Sequence, residues 1–128
     1  MKVFLGGTLN GSQWRDELIP KLKIDYFNPI VDNWDETAQS REEHEKESSD
    51  FLLFVITPLM EGVYSIAEVV DASNKIPDKT LFCILDSDGG KTWSEFKRNS
   101  LHAVEKLVES NGAKVFNDLD EIASFLNH

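Results

Sequence analysis

The chain has 128 residues, 41% of them hydrophobic and 28% charged, with a formal net charge of -10 at pH 7. That length suits one domain with a single sizeable core. An acidic surface of this size argues against nucleic-acid backbones and anionic membranes, both of which select basic patches.

The predicted elements alternate from the start. Residues 2–5 form a short apolar run stopped by Gly6-Gly7, a first strand. Residues 12–22 carry Trp14, Leu18, Ile19 and Leu22 at helical spacing behind Ser12. Residues 24–27 give a second strand closed by Asn28-Pro29, and 32–36 a polar loop containing Trp34. Residues 37–48 are strongly charged and show almost no apolar face, which predicts a solvent-exposed helix. Phe51–Ile56 is uninterrupted apolar sequence, as in a central parallel strand buried on both faces.

Residues 65–74 predict a helix with its apolar stripe at Ile66, Val69, Val70 and Ser73. Residues 80–85 give a fourth strand, followed by the turn-rich Asp86-Ser87-Asp88-Gly89-Gly90. The longest helix is expected over 93–110, with Phe96, Leu101, Val104, Leu107 and Val108 as its buried stripe. Lys114–Phe116 is a fifth strand and Leu119–Leu126 a closing helix. Strands alternating with helices predict an α/β fold, a single-domain, doubly wound, five-stranded parallel sheet of flavodoxin-like order. Cys83 is the only cysteine; it sits in an apolar run and reads as a buried thiol. No apolar run reaches membrane-spanning length and the chain enters a strand with no leader pattern, so a cytoplasmic location is expected.

In such a sheet, ligands bind beyond the carboxyl ends of the strands. Those ends hold Gly6-Gly7-Thr8, Trp34-Asp35, the loop from Thr57 to Tyr64, and Asp86 to Gly90. Gly6-Gly7 reads either as a tight turn or as bare backbone open to a sugar or phosphate oxygen. Neither G-x-G-x-x-G nor a Walker sequence is present, and His44, His102 and His128 lack metal-like spacing, so no cofactor and no metal are expected. No serine has a G-x-S-x-G context.

Glu68 has two readings. Ser65-Ile66-Ala67-Glu68 is S-x-x-E, the pattern of a capping box, in which the glutamate only bonds back to the cap. Alternatively, a carboxylate in the first turn of a helix is held ionised by the helix dipole, the state a nucleophile needs. Asp50 stands just before the buried strand, at its amino end, across the sheet from Glu68.

In order and spacing, the segments Val3-Phe4-Leu5-Gly6-Gly7-Thr8 with Trp14, Phe27-Asn28-Pro29 with Trp34-Asp35-Glu36, Ser49-Asp50 before the apolar strand, and Tyr64-Ser65-Ile66-Ala67-Glu68-Val69 resemble the nucleoside 2-deoxyribosyltransferase family and its short relatives. The resemblance implies that Glu68 attacks the anomeric carbon of a 2'-deoxynucleoside or its 5'-monophosphate. A glycosyl-enzyme forms, and another base or water completes the exchange. It further implies Asp50 as the acid assisting base departure. Substrate contacts would come from Gly6, Gly7, Thr8, Trp34, Asp35, Tyr64 and Ser65, with Glu61 the nearest candidate for the family's acidic loop partner. Asn99, or Ser100, would reach the sugar's 5' side from a neighbouring subunit, so a homodimer or higher homo-oligomer is expected. Two alternatives stay open: a glutamate-dependent NAD glycohydrolase similar to TIR domains, and a non-catalytic nucleotide-binding or signalling module.

Overall fold

The computed structural model describes residues 1–9, 11–30 and 35–128. The strands are β1 (Lys2–Gly7), β2 (Asp25–Phe27), β3 (Phe51–Ile56), β4 (Thr80–Ile84), β5 (Ser87–Asp88), β6 (Lys91–Thr92) and β7 (Lys114–Phe116). The helices are α1 (Trp14–Leu18), α2 (Glu36–Ser48), α3 (Tyr64–Lys75), α4 (Glu95–Ser110) and α5 (Leu119–Leu126). Five strands form one all-parallel sheet in the order β2-β1-β3-β4-β7. This is the expected flavodoxin-like doubly wound α/β fold, and β3 and β4 are interior strands as their apolar runs predict.

Alternation along each strand splits the core in two. Val3, Leu5, Leu53, Val55, Leu81 and Cys83 face one side, where Trp14 and Leu18 of α1 and Leu119, Ile122 and Leu126 of α5 cover them. Phe4, Leu52, Phe54, Ile56 and Phe82 face the other, beneath Val69 and Ala72 of α3 and Leu101 and Val108 of α4. Cys83 is buried, and desolvation pushes its thiol up to about 12, so it stays protonated and unreactive.

Three sequence expectations change. Residues 86–92 are more than a turn: Ser87–Asp88 and Lys91–Thr92 pair antiparallel around Gly89 and Gly90, both with positive φ, as a two-residue hairpin requires. The hairpin is tied down by the Ser12 hydroxyl, which donates to Asp88. Phe96 and Leu107 are not in the buried stripe of α4; Phe96 is 84% exposed and Leu107 about half. Trp93 lies outside the helix and is buried, its indole N–H donating to the Leu85 carbonyl at 2.8 Å.

The switch point of the sheet lies between β1 and β3, where the chain turns to opposite sides. There the Thr8 N–H donates to the Val55 carbonyl at 2.9 Å, and the Thr57 N–H donates to Thr8 Oγ1 at 3.0 Å. The two strand ends are thereby latched together.

Candidate active site between two helices

The α3 helix starts at Tyr64, with Val63 as its cap residue and no side-chain capping bond. Ser65 is already the second helical residue, so S-x-x-E is out of register for a capping box. Glu68 instead turns sideways, away from the stripe of Val69, Ala72 and Ser73 that packs on the sheet. Its carboxylate meets the ammonium of Lys46, near the end of α2, in a hydrogen-bonded ion pair. Lys46 Nζ also lies 3.7 Å from Glu42, one helical turn earlier, and 5.6 Å from the centre of the Phe4 ring.

The three side chains are sheltered: Glu68 is 16% exposed, Glu42 22% and Lys46 26%. Burial alone would lower Lys46, but its hydrogen bond to Glu68 and the charges of Glu68 and Glu42 outweigh this and hold it above the ordinary lysine range. Glu42 is pushed above the usual carboxylate range by burial and by Glu68, against the opposing charges of Lys46 and Arg15. Beside this cluster a cleft of about 390 Å³ opens between the helices, lined among others by Tyr64, Glu68, Asp71, Lys46 and Phe54. A half-buried carboxylate beside a cleft, held by one cation and with a second carboxylate close by, suits nucleophilic attack on an electrophilic carbon.

Of the predicted site residues, the structure brings Glu68 and Tyr64 to this cleft, with Ser65 beside Tyr64 in the first turn of α3 and Glu61 exposed in the preceding loop; Glu68 is the fifth helical residue, so the first-turn placement expected from sequence is not found. Asp50 does not join them. It sits at the amino end of β3, where its carboxylate accepts the Lys2 N–H at 2.8 Å and its own N–H donates to the Lys2 carbonyl. Helix α3 begins at the other end of that strand, so the register of β3 keeps the two acids apart. Asp35 caps α2, accepting from the Ala38 N–H. Asn99 is exposed on α4, which packs on the opposite flank of α3 from Lys46. Trp34 lies outside the described residues.

The glycines and Thr8 each have a structural part in the chain. A side chain at Gly6 would press on the Phe54 and Phe4 rings at 3.0–3.2 Å, and one at Gly7 would stand 2.0 Å from the Val55 carbonyl oxygen. Close packing accounts for a glycine at both positions, and at Gly7 a positive φ adds to it. Arg15 is buried beside them, donating to the carbonyls of Leu5 at 3.0 Å, Thr8 at 2.8 Å and Gly7 at 3.4 Å.

Glu42 and Lys46 were missed because α2 has no apolar stripe. Its sheltered face is Ala38, Glu42, Glu45, Lys46 and Ser49, spaced four, three, one and three residues apart. The signal was the aromatic pair Phe4 and Phe27, which need a cover; Lys46 and Arg41 lie over those rings.

A family model described as nucleoside 2-deoxyribosyltransferase like matches residues 1–87, which carry β1 to β4, the cleft and its Glu42–Lys46–Glu68 cluster. No curated protein and no solved structure matches the chain. Among the described residues, no helix is long and apolar enough to cross a membrane. The match supports nucleoside binding and a role related to glycosyl transfer, and since it covers more than half of the sequence, the chain belongs to the nucleoside 2-deoxyribosyltransferase-like family.

Proposed function

We propose that the protein cleaves or exchanges the N-glycosidic bond of 2'-deoxynucleosides, with Glu68 as nucleophile. The observation that carries this is that Glu68 is held by Lys46 at the wall of a cleft instead of capping its own helix. Loss of the base leaves an oxocarbenium-like centre at C1', which a nearby carboxylate stabilises and captures as a glycosyl-enzyme. A 2'-deoxy sugar lacks the electron-withdrawing hydroxyl and ionises easily. Asp50 has no part in this reading, because its carboxylate is engaged with the Lys2 backbone at the far end of β3. Unphosphorylated nucleosides are favoured over 5'-monophosphates, since Arg15, the cation nearest the β1 loop, is committed to three carbonyls.

Incubation with mixed deoxynucleosides, deoxynucleotides and NAD, reading released base by chromatography, tests the substrate class. Base release from deoxynucleosides is expected; release from NAD alone would select the glycohydrolase alternative, and no release the binding module. With a slow 2'-fluoro nucleoside, mass spectrometry should find a sugar adduct on the peptide containing Glu68. An adduct elsewhere would remove the nucleophile role.

The same reading includes self-association through α4. At about 100° per residue, Phe96 and Leu107 fall within about 20° of each other, roughly a quarter turn round α4 from the stripe of Leu101, Val104 and Val108, giving an exposed apolar flank beside it. Sedimentation at micromolar concentration should show a homodimer or larger, and Phe96→Asp should shift it to monomer. A wild-type monomer would refute the assembly.

A further inference from the structure

The position of Lys46 between two carboxylates has a consequence for the reaction, and it rests on the reading of Glu68 as nucleophile. Capture of the sugar converts the Glu68 carboxylate into an ester and removes its charge. Lys46 would then be left as an unpaired ammonium in a sheltered place over the Phe4 ring, which is unfavourable. Glu42 lies 3.7 Å from that ammonium on the same helix. We infer that Lys46 is a positioning residue that serves the two carboxylates in turn, holding Glu68 before the base departs and Glu42 after it.

The charges balance at both stages. In the proposed starting state Glu68 is ionised, Lys46 is protonated and Glu42 carries a proton, so the cluster is neutral. As the C1'–N bond breaks, its electron pair stays with the base, which takes the Glu42 proton through water, since Glu42 stands one helical turn from the cleft wall at Lys46, while Glu68 forms the new bond to C1'. Glu68 is now an ester and Glu42 a carboxylate beside Lys46, and the cluster is neutral again. In the second half an acceptor base or water attacks C1', returns a proton to Glu42 and releases Glu68 as carboxylate. Burial and the charge of Glu68 move Glu42 upward, the direction this role needs, against the charges of Lys46 and Arg15. The charged groups acting on it are Lys46 on its own helix, Glu68 from α3 and Arg15 from α1, while Tyr64 from α3 acts on Lys46.

The full-length protein and its Lys46→Met, Lys46→Arg and Glu42→Gln variants test this on 2'-deoxyadenosine and on 7-methyl-2'-deoxyguanosine, whose cationic base leaves without needing a proton. Glu42→Gln should slow 2'-deoxyadenosine by about a hundredfold and the methylated nucleoside by less than about threefold. Lys46→Met should lower kcat more than it raises KM and move the acid limb of the kcat/KM profile to higher pH; Lys46→Arg should restore both. Equal losses on the two substrates, or an acid limb that stays in place, would overturn the exchange and leave the nucleophile reading standing. A wild type releasing no base from either substrate would remove that reading, and the exchange with it. Should Lys46→Met fail to fold, the Lys46→Arg and Glu42→Gln arms decide alone.

Discussion

Arg15 Nε donates to the Leu5 carbonyl at 3.0 Å, taking the place of a strand that has ended. β2 pairs with β1 only as far as Phe27 opposite Phe4, and beyond that point no strand among the described residues lies beside the β1 edge on that side. The guanidinium fork extends the missing ladder to Gly7 and Thr8. Desolvation draws Arg15 down to about 10, against the charges of Glu42 and Asp16, so it is still charged at neutral pH.

Removing that fork strands buried acceptors. Arg15→Met is expected to cost about 3 kcal/mol, because several carbonyls lose their donor together. Arg15→Lys should recover only part, since a single ammonium cannot span them. Urea unfolding measures both, and a loss below about 1 kcal/mol for Arg15→Met would show that water replaces the fork.

Gly7 tests the turn reading. It has φ +121°, and an added Cβ would stand 2.0 Å from the Val55 carbonyl oxygen, so Gly7→Ala must push β1 from β3. A loss of at least about 3 kcal/mol or failure to fold is expected. Gly62→Ala, where an added Cβ meets nothing within 4 Å, should stay within about 0.5 kcal/mol and serves as the control.

The contrast between β3 and α2 explains what was legible. β3 is buried on both faces, so its whole length is apolar and its place in the sheet follows from sequence. α2 also covers the sheet, but its covering residues include Lys46 and Glu45, whose heads pair with Glu68 and Lys2, and Arg41, which lies over the Phe27 ring. No periodicity of apolar residues reports such a face, and the pairing partners lie tens of residues away in sequence. The S-x-x-E pattern failed because the cap falls at Val63, two residues before the serine, which puts the serine inside the helix. Asp50 was read in its correct place, at the strand's amino end, and its distance from Glu68 follows from the six residues of β3 between them.

Glu68→Gln separates the ion pair from the capping box. In a capping box glutamine would serve as well as glutamate. As the partner of Lys46, Glu68 contributes charge, and about 1 kcal/mol should be lost at neutral pH while turnover falls by orders of magnitude. Because Lys46 is raised in the folded protein, the stabilisation is fully present below the ordinary lysine pKa and is lost as pH rises through the raised value. The stability gap between wild type and Glu68→Gln should therefore hold from neutral pH to about pH 10 and close above it. A gap that instead closes toward neutral pH would assign it to another group.

Glu42→Gln carries the opposite sign. Burial and Glu68 together raise Glu42, so its ionisation works against the fold. A raised carboxyl contributes stability that is present below its unfolded pKa and lost as pH rises through the folded one. Glutamine has nearly the shape of the protonated acid and cannot ionise. At acid pH the variant should match wild type, and as pH rises to 7 it should become the more stable of the two, with a higher Tm. Residues kept for chemistry often sit at such a cost to stability. Thermal melts of both proteins across this range read the divergence directly, and a variant less stable than wild type at pH 7 would mean that Glu42 is ionised and holds Lys46 as a structural partner.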